Sequence, residues 1–152
     1  MGDRDSCVGL LLEDWAYARD RLADLRRAHR ATRFPDPAAP EAAKAIEKTW
    51  RETRETPAVV AVLCALADDA VRREEDVAAA WMAVQNLLTA ATAEGLGSYV
   101  RTGGILQDPG VAALVQLPAG HAALALVSLG YPAADEAPRR RTPAAQKTLW
   151  LD

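Results

Sequence analysis

Apolar residues recur at intervals of three and four at Val77, Trp81, Val84, Leu88 and Ala91, the spacing that lays one continuous stripe along a helix. The stripe predicts a core helix that opens at an Asp76 cap and stops at Gly95. Glycine there can take left-handed φ and let Leu96 fold back onto the last turn. Two more amphipathic stretches precede it. Trp15, Ala18, Leu22 and Leu25 share one face, with Arg19, Asp20, Asp24, Arg26 and Arg27 elsewhere, in a helix that frays near Thr32. A second helix from Glu41 to about Arg54 turns Ala43, Ile46 and Trp50 inward and leaves Lys44, Glu47, Lys48 and Arg51 in solvent. The prolines of FPDPAAP, residues 34–40, separate the two, because proline cannot continue a hydrogen-bonded helix.

The strand signals have a different texture. CVGLLL, residues 7–12, is a short apolar run ended by Glu13 and Asp14, as a brief buried strand would be. After Pro57 the run AVVAVLCALA is continuously apolar, so that strand is expected to be central and covered on both faces. DDAVRREED, residues 68–76, reads as a loop into the main helix, and SYVRT, residues 98–102, as the next strand. Asp108 followed by Pro109 is a cap with proline at the first helical position, which starts a short helix through VAALVQL; AALALVSL, residues 122–129, is a further buried strand closed by Gly130, Tyr131 and Pro132. The order strand, helix, helix, strand, helix, strand, helix, strand predicts one sheet with helices over it, α/β or α+β; pattern alone leaves the strand order open.

Composition narrows the class. Half the residues are hydrophobic and only 5% aromatic, a balance rich in alanine that favours helices over an all-β fold. The length predicts one domain over residues 1–152, with 133–152 as an extended tail rich in Pro, Ala and Arg. A net charge of -3 gives no general attraction to nucleic acid or to an anionic membrane. Cys7 and Cys64 lie far apart and outside any Cys-x-x-Cys pattern, so reduced thiols are the simpler reading. With no signal peptide and no membrane-length apolar run, the protein is expected to be cytoplasmic.

Candidate chemistry gathers after the main helix, where Ser98, Arg101, Thr102, Gly103 and Gly104 place polar groups and permissive backbone directly beyond a buried element. His29 and His121 have neither metal-ligand spacing nor a neighbouring nucleophile. Arg26, Arg27, Arg30 and Arg33 could form a basic face, but nearby acids and the lack of interleaved aromatics favour a solvated surface over a nucleic-acid site. Asn86, beside Gln85, has two open readings: a core amide satisfied by a loop, or a pocket residue. Gly95, Leu96 and Gly97 are fully explained as a helix stop and strand entry. Arg139, Arg140 and Arg141 in isolation read as a solvated tail.

The stretch AVQNLLTAATAEGLGSYVRTGG, residues 83–104, resembles the signature of the small single-domain branch of the nitroreductase family, and the resemblance continues through Leu117 and Pro118 to SLGYP at 128–132 and the basic tail. It implies an α+β fold, a mixed sheet flanked by helices, built as an intertwined homodimer with a flavin at each of two interface sites. It also implies a flavin-dependent oxidoreductase in which NAD(P)H reduces FMN and electrons pass to a small-molecule acceptor, a nitroaromatic, quinone or similar compound, with the cofactor carrying the chemistry and no catalytic side chain required. The cofactor-binding residues so implied are Asn86; Gly95, Leu96 and Gly97, with their backbone near the ring; Arg101, Thr102 and Gly103; and Arg139, Arg140 and Arg141 toward the phosphate. Val100 departs from the pattern, which usually has Trp there. No Arg-Arg-Ser motif and no Pro-Ser…Asn-x-Gln-Pro-Trp segment is present, and CVGLLLEDWAYARDRLADL is similar to the family's first strand and following helix. The chain is therefore expected to be N-terminally truncated relative to the family. The alternative function is a non-catalytic remnant of the same fold with an assembly or ligand-binding role.

Overall fold

The two amphipathic stretches form α1 (Trp15–Ala31) and α2 (Pro40–Arg54), joined by the proline-rich turn, in a computed structural model that describes residues 7–10, 15–134 and 141–149. Proline stands at the start of α2, where its missing N–H costs no hydrogen bond. The inward face of α2 is Ala42, Ile46 and Thr53. Ala43, expected inside, is exposed because the buried face centres one residue earlier, on Ala42, Ile46 and Thr53, and Trp50 lies at its border with α1. There the Trp50 indole Nε1 donates to Asp24 Oδ1 at 3.0 Å, and the Arg54 guanidinium stacks on its ring at 4.6 Å.

Four strands follow the apolar runs: β1 (Cys7–Leu10), β2 (Ala58–Ala65), β3 (Gly97–Arg101) and β4 (His121–Gly130). Their order is β1-β2-β4-β3, so β2 is central as its unbroken apolar run predicts. The fold is α+β, as expected; the sheet is antiparallel in all three pairings among the described residues, where a mixed one was expected. In β4 an extra residue, Leu124, has no partner, because Val62 opposes Ala125 while Leu63 opposes Ala123. Cys7 and Cys64 are register partners across β1 and β2, a neighbourhood that sequence distance hides. The distal half of the expected first strand, Leu11 and Leu12, lies outside the described residues.

The main helix, α3 (Ala70–Ala93), begins earlier than expected. Asp69, not Asp76, is its cap: the Asp69 carboxylate accepts from Arg72 N at 2.9 Å, and the Arg73 side chain donates to the carbonyls of Ala67 and Asp68. The charged run taken for a loop consists of good helix formers and continues the helix once that cap is in place. Its end is as predicted. Gly95 sits at φ +73°, Leu96 N donates to Ala91 O at 2.8 Å and Gly95 N to Thr92 O at 3.0 Å, the paired bonds of a glycine-terminated helix. Asp108 caps α4 (Pro109–Leu114) through Gly110 N, after a single 3-10 turn at Gly104–Gln107.

The sheet is covered on both faces. On one, Leu22 of α1, Val111 of α4 and the following Val115 pack on Ala61, Leu63 and Leu126. On the other, Val84 of α3 packs on Val62, Ala125 and Val127, with Val100 against them. Full burial of a side chain such as Leu63 stabilises by about 1.5–3 kcal/mol, so these two clusters hold the layers together. Among the described residues no helix is long and apolar enough to cross a membrane.

Candidate functional site

Strand period decides which side chains of β3 share a face. Tyr99 and Arg101 lie on the α1–α2 side, since Arg101 is the register partner of Leu126 in that core, whereas Val100 belongs to the α3 side. The Arg101 guanidinium stacks on the Tyr99 ring at 4.8 Å, and its Nε lies 3.4 Å from Ser128 Oγ, a long hydrogen bond across to β4. Gly97 faces Gly130 at the start of the same pairing.

These residues line an open groove of about 750 Å³ between the β3–β4 pair, the Gly130–Ala134 turn and the C-terminal end of α2. A Cβ on Gly97 would stand 3.4 Å from Gly130 O and 3.8 Å from Pro132 Cβ, so the groove floor is narrow but unclashed there. Glu52 and Glu55 form its α2 wall and Arg101 its cationic point. The groove exposes more apolar than polar surface, with an aromatic–guanidinium stack on one side and carboxylates on the other, and suits a planar, largely uncharged ligand better than a phosphate.

Beyond Arg101 the chain enters a second, smaller cavity of about 150 Å³, lined by Arg26, His29 and Arg30 of α1, Arg33 just beyond it, Thr49 of α2, and Thr102 and Ile105. Arg26 is half-buried and donates to the hydroxyl of Thr53, the buried polar side chain beneath it. Burial first, and the nearby positive Arg101 second, push the Arg26 guanidinium down to about 10, so it stays cationic at neutral pH.

The sequence-derived residues separate into distinct places. Gly97 and Arg101 line the groove; Thr102 lines the basic cavity. Gly103, at φ +103°, opens the 3-10 turn through a bond from Leu106 N to its carbonyl, a structural need that only glycine meets easily. Gly95 and Leu96 form the helix stop. Asn86 is exposed on α3, across the sheet from the groove, and its side chain makes no hydrogen bond among the described residues, so its placement matches neither a satisfied core amide nor the groove. Val100 packs in the α3-side core and is not part of the groove wall. Arg141 is exposed, and Arg139 and Arg140 lie outside the described residues. Sequence reasoning missed Tyr99, Ser128 and the acidic wall, which only the sheet register brings together. It also read Arg26, Arg27, Arg30 and Arg33 as solvated, although Arg26 and Arg30 have the spacing of one helix face. No cluster of metal-ligating residues occurs among the described residues.

A model of the Nitroreductase family matches residues 9–131. Among solved structures, a nitroreductase-like family protein from Bacillus cereus is similar at TM-score 0.73 and 24% identity, covering 97% of this chain and 74% of that one. An iodotyrosine deiodinase bound to FMN and 3-iodo-L-tyrosine is similar at 0.66 and 23%, covering 92% and 75%. Nitroreductase A from Vibrio parahaemolyticus is similar at 0.65 and 19%, covering 93% and 56%. At these identities the likeness is one of fold. Among curated proteins, none matches this sequence.

Proposed function

The chain belongs to the nitroreductase family, and on that footing we propose that it is a cytoplasmic flavin-dependent oxidoreductase that binds FMN and moves electrons from NAD(P)H to a nitroaromatic, quinone or similar acceptor. The observation that carries this reading is the groove in which Gly97, Tyr99 and Arg101 converge at the edge of the sheet. Its features fit a flavin ring: a glycine at Gly97 whose Cβ position meets no clash, and a stacked Tyr99–Arg101 pair.

When bound, the flavin supplies the redox chemistry, accepting a hydride and passing electrons on. The chain's own groups bind and orient. Ser128 helps hold the Arg101 guanidinium toward the groove, where a positive charge favours a reduced, anionic ring edge. Glu52 and Glu55 disfavour a phosphate on the α2 side. Arg139, Arg140 and Arg141 remain proposed phosphate contacts by resemblance.

We further propose a homodimer. Along α3 only Ala80, Val84 and Ala91 are buried, while Val71 and Met82 are more than half exposed and Trp81 is 38% exposed. A long helix with so much apolar surface in water is what a second copy would cover. Light scattering at micromolar protein should return twice the chain mass.

The test of function is the visible spectrum of the purified protein after incubation with FMN and dialysis, for wild type and Gly97→Val. A retained flavin spectrum in wild type, weakened in a Gly97→Val protein of unchanged thermal stability, is expected. Wild type that retains no flavin refutes the oxidoreductase reading and leaves the non-catalytic alternative.

A further inference from the structure

The basic cavity between α1 and the start of the Gly104–Gln107 turn is a separate place from the groove, and its chemistry is one-sided. Arg26 and Arg30 fall on one face of α1 four residues apart, and Arg33, just beyond the helix end at Ala31, joins them at the cavity. None of the three makes an ion pair with a carboxylate among the described residues, in a chain whose net charge is negative. Arg30 Nε is buried and has no hydrogen-bond partner among the described residues, although the Arg30 guanidinium lies 5.2 Å from the Phe34 ring. A buried guanidinium donor without an acceptor is costly, and so is crowding of cations without an anion. The opposing charge of Glu52 on Arg26 is outweighed by burial and by Arg101.

The neutral part of the lining has the same bias toward donors. The Thr102 hydroxyl makes no hydrogen bond among the described residues and faces the cavity, while Thr49 already donates to Ala45 O. The His29 ring packs closely over Gly104, whose Cβ position lies 3.2 Å from His29 Cε1. The volume of about 150 Å³ admits a tetrahedral oxyanion with a few waters and is too small for a whole nucleotide.

We infer that the cavity formed by Arg26, His29, Arg30, Arg33 and Thr102 is a binding site for a phosphate group, free or carried by a ligand that extends out of it. Guanidinium groups bind phosphate oxygens in pairs, and Arg30 Nε has the donor such an oxygen would take up. The site does not depend on the groove holding a flavin.

The test is calorimetric titration of the full chain with inorganic phosphate, FMN and riboflavin, for wild type, Arg30→Gln and Arg33→Gln. Arg33 is exposed, so its variant keeps the test informative if Arg30→Gln fails to fold. Inorganic phosphate should bind wild type with one ion per chain, and Arg30→Gln should weaken it about tenfold or more, the loss of one charge-assisted bond. Arg33→Gln should weaken it less, and added chloride should weaken it in all three proteins. Displacement of bound phosphate by FMN but not by riboflavin assigns the site to the flavin's phosphate; phosphate binding indifferent to FMN assigns it to another phosphoryl source. Both results keep the site. Riboflavin binding without any phosphate binding leaves the groove reading intact and overturns this one, as does equal phosphate affinity in wild type and a folded variant.

Discussion

Removing one oxygen at Thr53 should destabilise this protein out of proportion to its size. Thr53 is 1% exposed, its hydroxyl donates to Thr49 O at 2.8 Å and accepts from Arg26 Nη1, and it is the buried polar side chain at the α1–α2 contact. Thr53→Val keeps the shape and removes the acceptor. The Thr49 carbonyl retains its helical backbone bond, so the principal loss is at Arg26, whose half-buried guanidinium already stands near Arg101 without an ion-pair partner among the described residues. A hydrogen bond to a charged group is worth about 1.5–3 kcal/mol, and partial water access to Arg26 places the expected cost near the low end, at about 2 kcal/mol. In a chain of this length that lowers the melting temperature by about 4–8 °C. Arg26→Met should cost about 1 kcal/mol, because it also relieves the burial of a cation and its repulsion by Arg101. The double variant should fall short of the sum by at least ~1 kcal/mol, the coupling expected of direct partners. Urea unfolding at one fixed protein concentration measures all four proteins and keeps any dimer equilibrium constant. A Thr53→Val protein within ~0.5 kcal/mol of wild type, or strictly additive effects, would refute the role given to this bond.

Gly95→Ala should cost about 1–2 kcal/mol through its φ of +73° alone, since nothing lies within 4 Å of the added Cβ; Gly95→Asn should cost less, and urea midpoints of the two separate backbone strain from steric clash. The hydrogen bond and charge of Arg54 hold Asp20 below the ordinary aspartate value of about 3.9. A lowered carboxylate stabilises the fold above its unfolded value and loses that contribution as pH falls through the folded one. Asp20→Asn should therefore be less stable than wild type at neutral pH, and the gap should close below about pH 4, followed by thermal melts across acid pH.

The local grammar of this chain was legible without coordinates wherever a short-range rule sufficed. The Gly95 stop, the Asp108–Pro109 start and the unbroken apolar run that makes β2 central each depend on a few consecutive residues, and each is found as read. The motif at residues 83–104 likewise carried the family. Where two capping aspartates competed, the pattern misled: Asp76 and Asp69 are the same residue type, and the bond from Arg72 N to the Asp69 carboxylate, with those from Arg73 to Ala67 O and Asp68 O, shows which one starts α3. The sites belong to tertiary structure for a plainer reason. Gly97 and Gly130, Tyr99 and Ser128, and Arg101 and Leu126 become neighbours through strand register, which no local pattern specifies when both strands are apolar. Arg30 and Thr102 meet only because α1 packs against the Gly104–Gln107 turn that follows β3. The charge on an arginine is written in the sequence; whether water or a carboxylate answers it is decided by the fold.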